Sequence, residues 1–592
     1  MKTINKLKLT RAQQAAVNDL EGVCVINSLA GSGKSLVLET RARNIRAKYP
    51  EANIVLLTFN KKCCEEMSER LQGVYNVQVS TIHSFLYNRV LKASGLFRNY
   101  RFIANEADRR SLMKKAIYES KTEDMLTVND LAEAISRCDD STEEKKAAKD
   151  MYFELLKEKQ LLDYDAILHF SVEVLKCFKA IGYGIRNSVS YLLWDEFQDS
   201  NTEMVEALRL IFPKEDGYQT NLCLALDYCQ SIYRWRGANP QLVRDLLENY
   251  YSAKEYRLTT NHRSTPEIIE VANHVLPANS PKMVAGKKIV GEKPIFYAAE
   301  DEKNEADFII GEINRLREQG FSYNDMAILF RASAITNTLY ETMLRNGIPV
   351  IRIGGSNGLK YQNSRFKALL ALLNALYSKK VSLTMDCTLP IIGVPASVMS
   401  YLRSSEVMDS GKSLQEILLG IPSLSRSQRS RIAEFFEIDV ENKSLDSVVE
   451  LLFHKYLAPY YKVEEQGDDT ILESYRDIIG QDRTYDELVN HILEVRKRER
   501  DIKRLISSGA PAVTMLSGHC SKGAQYNICF VVGATNKIMP LCRADAPVDE
   551  EEERNLAYVM ASRAEKALIV SYPKMVNGVC QKASPYFEDF FE

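Results

Sequence analysis

The sequence has few of the residues that build metal centres and lacks the long apolar runs that build membrane spans. Among 592 residues there are 7 histidines and 12 scattered cysteines without a C-x-x-C pair, so we predict no structural zinc site and free thiols in a reducing compartment. No apolar run approaches the roughly 18 residues of a membrane span, and the first residues lack an apolar signal core. We therefore expect a cytoplasmic protein with no membrane partner.

The charge and the overall composition of the chain exclude few classes of protein. The formal net charge is -2, so it does not by itself indicate a nucleic-acid partner, and any basic surface has to be local. Apolar residues make up 45% and charged residues 26% of the chain, as in ordinary globular proteins. At about 150 residues per domain, the length predicts about four folded units.

The stretch Val23–Ser35 predicts a nucleotide site. An apolar run leads into a loop of small residues and then into a segment typical of a helix. Glycines let successive N–H groups point at phosphate oxygens, and the helix N-terminus adds partial positive charge. Lys34 would reach the β- and γ-phosphates of ATP, and the Ser35 hydroxyl would bind Mg²⁺. Ser28 stands at the first position of G-x-x-x-x-G-K-[ST], where the pattern has glycine. The residues predicted to bind nucleotide here are Ser28, Leu29, Ala30, Gly31, Ser32, Gly33, Lys34 and Ser35.

A second apolar run, Leu192–Glu196, ends in two carboxylates. Alone it would be an ordinary strand that ends in solvated acids. Downstream of a phosphate loop, such a pair is typical of one acid that holds Mg²⁺ and one that aligns the attacking water. We assign Asp195 to the metal and Glu196 to the water as general base.

Strand and helix signals predict an α/β fold with two domains of parallel sheet, each interrupted by a mainly helical insertion. Strands alternate with helices up to about residue 85, return near 189, and begin a second series near 294. The stretches between are charged, helical and poor in strands. The predicted segments are 1–85 and 189–265 for the first α/β domain, 86–188 for its insertion, 266–375 and 509–592 for the second α/β domain, and 376–508 for its insertion.

An ordered set of short motifs resembles the UvrD/Rep/PcrA family of superfamily-one DNA helicases. The acidic pair opens Asp195–Asp199, which is similar to motif II of that family. A single motif could arise by chance, but the set follows the family order over nearly the whole chain. The other matching stretches are Leu9–Gln13, Thr58–Lys62, Ser80–Ser84, Asp163–Asp165, Asp227–Ala238, Thr260–Ser264, Ser517–Gly523, Glu551–Val559 and Ala561–Ala564.

The resemblance implies two RecA-like domains of the P-loop NTPase class and gives roles to residues around ATP. Gln13 would read the adenine edge, and Gln230 would sense the γ-phosphate. Arg263 and Arg563 would come from the second α/β domain as arginine fingers, so that hydrolysis depends on closure of the cleft. The implied catalytic residues are Lys34, Glu196, Gln230, Arg263 and Arg563.

Two positions depart from the family pattern at the nucleotide. His262 stands where the family has a tyrosine that stacks on adenine, and an imidazole still offers a flat face. Gln525 replaces a glutamate that contacts the ribose, so an acceptor remains while the charge is lost. Neither change removes a group that hydrolysis needs.

Trp235 predicts a stacking platform for single-stranded nucleic acid. It is one of 2 tryptophans, and Tyr233, Arg234 and Arg236 surround it in the sequence. An aromatic ring between cations suits bases and phosphates, and burial between domains is the alternative. Among the predicted DNA contacts, Phe59 and His519 are equally compatible with packing. The predicted DNA contacts are Thr58, Phe59, His83, Trp235, Arg236, His519 and Lys522.

These features predict an ATP-dependent DNA helicase that translocates on single-stranded DNA and unwinds duplexes in repair, replication or recombination. The resemblance, and not the residue chemistry, implies 3′–5′ polarity. ATP and Mg²⁺ are the expected cofactors. The expected partners are single-stranded DNA and its junctions with duplex, with a single-strand-binding protein or a repair nuclease as further candidates. We expect a monomer or weak self-association.

Three other interpretations stay open. The chain could be a motor that works with a nuclease in repair or phage defence. We expect that nuclease to be a separate protein, since the few residues after the last strand signal leave no room for a fused nuclease domain. It could be a binding module that uses ATP only as a switch, although the intact catalytic set argues against this. It could act on RNA, because base stacking does not depend on the sugar. The acidic and aromatic end, Tyr586–Glu592, is expected to be a packed or frayed terminus.

Overall fold

The structure is a computed structural model of the chain. Among the residues that it describes, no helix is both long enough and apolar enough to cross a bilayer. The described residues are 9–214, 221–286, 292–354, 364–378, 385–395, 412–461, 484–542, 547–576 and 578–591, with single positions at 398, 402, 472, 475, 476 and 479.

Two six-stranded parallel sheets form the framework and confirm the predicted α/β class. In chain order the strands are β1 (Val23–Ser28), β2 (Ile54–Thr58), β3 (Val77–Thr81), β4 (Arg101–Phe102), β5 (Leu161–Leu162), β6 (Tyr191–Trp194), β7 (Leu222–Leu226), β8 (Lys254–Leu258), β9 (Thr260–Asn261), β10 (Val284–Ala285), β11 (Ile295–Ala299), β12 (Met326–Phe330), β13 (Val350–Ile353), β14 (Val513–Ser517), β15 (Tyr526–Val531), β16 (Ala564–Pro573), β17 (Met575–Val576) and β18 (Val579–Cys580). The first sheet has the order β3-β2-β6-β7-β1-β8 and the second β11-β16-β15-β12-β14-β13. Every neighbouring pair in these two sheets runs parallel.

Helices cover both sheets and make up most of the described residues between β3 and β6 and between β13 and β14. In chain order they are α1 (Arg11–Asn18), α2 (Lys34–Lys48), α3 (Lys61–Arg70), α4 (Ile82–Leu86), α5 (Lys92–Ser94), α6 (Glu106–Glu119), α7 (Val128–Arg137), α8 (Glu143–Glu158), α9 (Tyr164–Cys177), α10 (Lys179–Ser188), α11 (Thr202–Ile211), α12 (Pro240–Asp245), α13 (Pro266–Val275), α14 (Glu302–Glu318), α15 (Asn337–Arg345), α16 (Ser364–Ser378), α17 (Met385–Ile391), α18 (Leu414–Leu419), α19 (Arg426–Phe436), α20 (Leu445–Leu452), α21 (Ala458–Tyr461), α22 (Tyr485–Ser507) and α23 (Glu550–Ala561).

The central strands are buried because they are apolar on both faces. Every residue of β2 and of β7 is buried, which is the pattern of a parallel sheet covered on both sides. In β2, Ile54 and Leu56 face one apolar cluster, whereas Val55 and Leu57 face the other. The two clusters fix the register of the strand, since a slip of one residue would exchange its faces.

The two sheets meet through an apolar cluster and a short crossing segment. The cluster joins Leu29 and Ala30, in the loop after β1, to the buried face of α23. The chain crosses after β8, and there the Ser264 hydroxyl donates to the Ala564 carbonyl at 2.6 Å while the Thr265 amide donates to the Glu565 carbonyl at 3.1 Å. The last residues of the predicted segment 189–265 are therefore bonded to the second sheet.

The C-terminal tail is packed against the second sheet up to Phe591, the last residue described. Tyr586 and Phe587 are buried. The Phe590 ring stacks on Phe296 with 4.7 Å between centroids. Of the two expected states, packed and frayed, the structure has the packed one. Glu592 lies outside the described residues.

Glu305 on α14 carries a carboxyl group that is buried in the second sheet. Its Oε1 accepts hydrogen bonds from the Gly533 amide at 2.9 Å and from the Ser571 hydroxyl at 2.7 Å. Burial raises the pKa of Glu305 to about 7, and the two donors offset only part of that rise. The carboxyl group thus joins α14 to the residues that follow β15 and to β16.

We expect Glu305→Gln to stabilise the protein increasingly as the pH rises. Between the usual glutamate pKa of 4.5 and about 7, the folded chain keeps a proton on Glu305 that the unfolded chain has released. The free energy of unfolding of the wild type therefore falls as the pH rises through that window. Glutamine keeps an Oε1 acceptor and does not ionise. Urea unfolding should show the advantage of the variant growing by roughly 2 kcal/mol from about pH 5 to about pH 8. A difference that does not change with pH would contradict the assignment.

Candidate nucleotide and nucleic-acid site

The predicted phosphate loop lies at the carboxyl edge of the first sheet, where three neighbouring strands end. β1 ends at Ser28, β6 at Trp194 and β7 at Leu226. Parallel strands end on the same side of a sheet, and that side is where α/β proteins bind ligands. The loop after β1, the two acids after β6 and Asp227 after β7 therefore converge.

The loop conformation depends on two glycines. Gly31 has φ 69° and Gly33 has φ 82°, both in the left-handed region that favours glycine. A Cβ on Gly31 would lie 2.7 Å from the side-chain nitrogen of Asn261. Ser28 fits in place of a glycine because it is still part of β1, and its hydroxyl donates to the Leu226 carbonyl at 3.0 Å.

Lys34 pairs with both carboxylates that follow β6. Its Nζ lies 2.5 Å from Glu196 Oε1 and 3.1 Å from Asp195 Oδ1. Burial alone would lower the pKa of Lys34, but the two carboxylates raise it above its usual range. Burial would raise the pKa of Glu196, yet Lys34 and Lys522 outweigh burial and leave it at about 2. The lysine is charged, and its ammonium group is paired with the two carboxylates that follow β6.

Glu196 is held in a strained backbone conformation. Its φ is 56°, in the left-handed region that a residue with a long side chain seldom adopts. Its Oε2 accepts a hydrogen bond from Gln198 Nε2 at 2.5 Å, and its amide donates to Asp195 Oδ1 at 2.9 Å. Strain of this kind collects at functional sites, where the surroundings fix an unfavourable geometry.

Gln13 lies against the phosphate loop, with both ends of its amide already bonded. Its Oε1 accepts from the Thr10 amide at 2.8 Å, closing the cap of α1, and its Nε2 donates to the Ser32 carbonyl at 2.9 Å. Thr10 caps this helix, and its hydroxyl accepts from the Gln13 amide at 3.2 Å. A cavity of about 230 Å³ opens alongside, lined by Thr10, Ser32 and Thr260 among others. Contact of Gln13 with adenine stays a prediction.

Two arginines reach this site: Arg563 directly precedes β16 of the second sheet, whereas Arg263 follows β9, in the segment that crosses to that sheet. Arg563 follows α23, is fully buried, and donates from Nη2 to Gln230 Oε1 at 3.1 Å. Gln230 Nε2 in turn donates to Asp227 Oδ2 at 2.6 Å. Arg263 donates from Nη1 to the Ser562 carbonyl at 3.2 Å, next to Arg563. Loss of hydration and the neighbouring Arg263 lower the pKa of Arg563 to about 9.

Lys522 lies inside the interface between the sheets, and its side chain is only 5% exposed. It forms an ion pair with Asp199, donates to the Gln230 carbonyl at 2.6 Å, and lies 3.6 Å from Glu196 Oε2. Burial raises the pKa of Asp199 to about 6 despite this pairing. Lys522 was predicted to contact DNA; in the structure its ammonium group contacts carboxylates of the first sheet. The DNA role stays a prediction.

The two residues that depart from the family pattern lie at the margin of the site. His262 is exposed, and its amide donates to the Gly31 carbonyl at 2.9 Å. Its ring borders Gly286, since a Cβ there would lie 2.7 Å from His262 Nδ1. Gln525 is exposed directly ahead of β15.

Aromatic rings from both sheets form a cluster beside Lys522. Phe59 stacks on Tyr233 with 5.0 Å between centroids, and His519 lies edge-on to Trp235 at 6.1 Å. The Trp235 ring is 46% exposed, and the Arg236 guanidinium lies 4.7 Å from its centroid. Trp235 is thus accessible, which disfavours the alternative that it is buried between domains.

The interface also fixes the position of this cluster. The Tyr233 hydroxyl donates to the His519 carbonyl at 3.1 Å, so one bond joins the two sheets within the cluster. Loss of hydration and nearby cations lower the pKa of His519 to about 4, which keeps the ring neutral at physiological pH. A Cβ on Gly237 would lie 1.8 Å from the Ser136 carbonyl, so α7 packs directly under the turn that carries Trp235.

Thr58 is the last residue of β2, and His83 lies in α4, directly after β3. Thr58 is buried, and its hydroxyl donates to the Asn60 carbonyl at 3.2 Å. His83 is edge-on to Tyr164 with 5.4 Å between centroids, and Tyr164 is 71% exposed. Burial lowers the pKa of His83 to about 4.

The predicted DNA contacts did not include Tyr233, which stacks on Phe59, or Tyr164, which is exposed. Tyr233 lies next to Trp235 in the sequence, which was the available signal. Tyr164 is the centre of the matched stretch Asp163–Asp165, whose two acids are bound by Arg109 at 2.9 Å and 2.7 Å. That pairing holds the turn at the start of α9, where the ring of Tyr164 is exposed to solvent.

The oxygen donors next to the loop suit a hard cation. Ser35 supplies a hydroxyl at the start of α2 and Asp195 a carboxylate after β6, which together with phosphate oxygens is how Mg²⁺ is usually held at such loops. Ser32 Oγ is buried and has no hydrogen-bond partner among the described residues. Within the ranges that the structure describes, no group of three or more His, Cys, Asp or Glu side chains is placed to hold a metal.

Comparison with known proteins matches both halves of the chain to helicase domains. Residues 9–251 match the model of the UvrD/REP helicase N-terminal domain, and residues 256–575 match that of the UvrD-like helicase C-terminal domain. The ATP-dependent DNA helicase PcrA of Staphylococcus aureus is 26% identical over 627 aligned residues, covering 97% of this chain and 84% of the relative. PcrA of Staphylococcus epidermidis is 26% identical over 628 aligned residues, with the same coverage.

We expect Trp235→Ala to weaken binding of a single-stranded oligonucleotide by about tenfold or more, because stacking on an aromatic ring is worth about 1–3 kcal/mol per base. Affinity for ADP should stay unchanged, since Trp235 lies outside the loop. Tyr75→Ala is a matched control. Tyr75 is 62% exposed and has the Arg46 guanidinium 4.6 Å from its ring, but it precedes β3 at the opposite edge of the sheet. Fluorescence anisotropy would measure binding, and unchanged affinity in Trp235→Ala would refute the platform.

Proposed function

The chain belongs to the UvrD/REP family of helicases, and from this we propose that it uses ATP to move along single-stranded DNA from 3′ to 5′ and to separate duplexes. DNA repair, replication and recombination are the processes that such an activity would serve. Its substrates would be single strands and their junctions with duplex. The proposed division into two RecA-like domains with helical insertions keeps the segments given above.

The hydrogen bond between Arg563 and Gln230 supports the proposal most directly. The phosphate loop, Glu196 and Gln230 belong to the first sheet, whereas Arg563 belongs to the second. The bond of 3.1 Å therefore closes the site across the interface. A site that is complete only when two domains are docked is the arrangement by which hydrolysis becomes movement.

In the proposed reaction, Glu196 accepts a proton from the water that attacks the γ-phosphate. Lys34 would first exchange its two carboxylate partners for phosphate oxygens. That exchange removes the nearer of the two ammonium groups that hold the pKa of Glu196 at about 2, so the carboxylate becomes a stronger base when the lysine engages a phosphate. Mg²⁺ on Ser35 and Asp195 would neutralise phosphate charge.

Arg263 and Arg563 would stabilise the charge that spreads over the γ-phosphoryl oxygens. Arg563 is buried, and both guanidinium groups are already bonded to backbone carbonyls, so little reorganisation is needed during the reaction. Lys522 would add to this link, because it is attached to the second sheet and its ammonium group bonds Asp199 and Gln230 of the first.

Movement along DNA would follow from the aromatic cluster. Phe59 and Trp235 follow β2 and β7 of the first sheet, and His519 follows β14 of the second. Opening of the cleft would break the bond from Tyr233 to His519 and change the spacing between bases stacked on either side. Each cycle of ATP binding and hydrolysis would then advance the strand.

Unwinding of duplexes with a 3′ or a 5′ single-stranded tail, each made in DNA and in RNA, tests activity, polarity and substrate together. We expect ATP- and Mg²⁺-dependent unwinding of the 3′-tailed DNA only. Lys34→Ala is the control for the phosphate loop, and we expect it to abolish DNA-stimulated ATP hydrolysis and unwinding.

Four outcomes would contradict parts of the proposal. Turnover in Lys34→Ala would overturn the assignment of the active site. Unwinding of the 5′-tailed DNA would overturn the proposed 3′–5′ polarity. Unwinding of the RNA duplexes would overturn the proposed preference for DNA. DNA-stimulated hydrolysis of ATP without unwinding of any duplex would contradict a stand-alone helicase and favour a translocase that needs a partner protein.

A further inference from the structure

We propose that Tyr558 positions the phosphate loop, so that the affinity of the loop for a nucleotide depends on the docking of α23 from the second sheet. The inference rests on the proposed ATPase function and goes beyond it. Tyr558 lies within the matched stretch Glu551–Val559, for which no role was predicted at this position. In the structure its side chain is completely buried at the interface between the two sheets.

The hydroxyl of Tyr558 is bonded to the backbone of the loop. The Ala30 amide donates to Tyr558 Oη at 3.0 Å, between residues that lie more than five hundred positions apart in the chain. The Tyr558 hydroxyl in turn donates to Met283 Sδ, with 3.6 Å between the oxygen and the sulfur, and its oxygen stays available to accept from Ala30. Tyr558 therefore meets a loop amide that the first sheet leaves unpaired.

Asn261 holds the other side of the same residue. Its Nδ2 donates to the Ala30 carbonyl at 2.9 Å, and it also lies 3.5 Å from Met283 Sδ. Its Oδ1 accepts from the Arg263 and Ser264 amides, both at 2.8 Å, in the segment that crosses to the second sheet. Both backbone groups of Ala30 are thus satisfied from outside the loop.

A phosphate loop binds phosphate oxygens through backbone amides whose orientation is fixed before the nucleotide binds. With the Ala30 amide occupied by Tyr558 and the Ser32 amide donating to the Leu29 carbonyl at 3.2 Å, the phosphate contacts fall to the amides of Gly31, Gly33, Lys34 and Ser35. Their direction depends on where Ala30 is held, since the peptide units are consecutive. Separation of α23 from the first sheet would release Ala30 and loosen the amides that follow. Docking of the sheets and affinity for the β-phosphate are then one linked equilibrium.

This role differs from that of an arginine finger. Arg263 and Arg563 would act on the γ-phosphate in the transition state, so their loss lowers kcat. Tyr558 would set the loop before a nucleotide arrives, and the loop grips the β-phosphate of ADP and of ATP. Loss of an interaction that is equal in ground state and transition state raises KM and leaves kcat nearly unchanged.

Tyr558→Phe tests the proposal, because it removes one oxygen atom and keeps the ring that packs in the apolar cluster. The buried Ala30 amide loses its acceptor, a change that costs on the order of 1–3 kcal/mol. We expect the Kd of ADP and the KM of ATP both to rise about tenfold, equivalent to about 1.4 kcal/mol. The kcat of DNA-stimulated hydrolysis should change less than about twofold.

Tyr586→Phe is the matched control. Tyr586 lies in the same apolar cluster, is 1% exposed, and donates its hydroxyl to Glu550 of α23 at 3.0 Å in a partly buried hydrogen bond. It should lose stability without any change in the Kd of ADP. If Tyr558→Phe does not fold, Asn261→Ala replaces it, with the Kd of ADP as readout, because ADP lacks the γ-phosphate that Arg263 would contact.

The outcomes separate this inference from the proposed function. Equal weakening of ADP and ATP binding with kcat retained supports the role of Tyr558. An unchanged Kd of ADP, or a fall in kcat alone, overturns it while the ATPase itself stands. A wild-type chain that binds ADP but does not hydrolyse ATP with DNA present overturns the proposed function, and the Kd of ADP in the variant still decides the role of Tyr558.

Discussion

The hydrogen bond between Arg563 and Gln230 is the interaction on which the rest of the site depends. A guanidinium group loses hydration when it is buried, and its pKa falls to about 9 here. Carbonyl groups of Val559 and Ala524 and the Gln230 amide oxygen compensate for part of that loss. The last of these lies in the first sheet, so it is available only while the sheets are docked. A buried cation that loses such a partner is strongly unfavourable.

The charges in the interface are arranged so that a phosphate can enter by exchange. Lys34 is paired with Asp195 and Glu196, and Lys522 is paired with Asp199. None of these cations needs to be recruited from water when a nucleotide binds, because each is already in place beside an anion. Phosphate oxygens would replace the carboxylates at Lys34 and free Glu196. Recognition of the nucleotide and activation of the base would therefore be one event.

Local features were predictable from the sequence, and long-range partners were not. The loop around Lys34 depends on consecutive residues, since glycines, a flanking strand and a helix start are enough to specify it. Gln13 and Lys522 were placed by resemblance at adenine and DNA, whereas the structure bonds them to the loop backbone and to carboxylates. Tyr558 gave no signal, because a tyrosine in an apolar helix face is indistinguishable from a core residue until the opposite sheet is in place. Tertiary packing decides which polar tip meets which backbone group.

Single-turnover hydrolysis of ATP by Arg563→Met, with single-stranded DNA bound, measures the dependence on the docked interface most directly. Methionine fills the buried space without a charge, so the fold should tolerate it. We expect the rate of hydrolysis to fall by about 10³-fold, the usual contribution of an arginine supplied across an interface, while the Kd of ADP changes little. Hydrolysis at the wild-type rate would contradict a site that is completed by the second sheet.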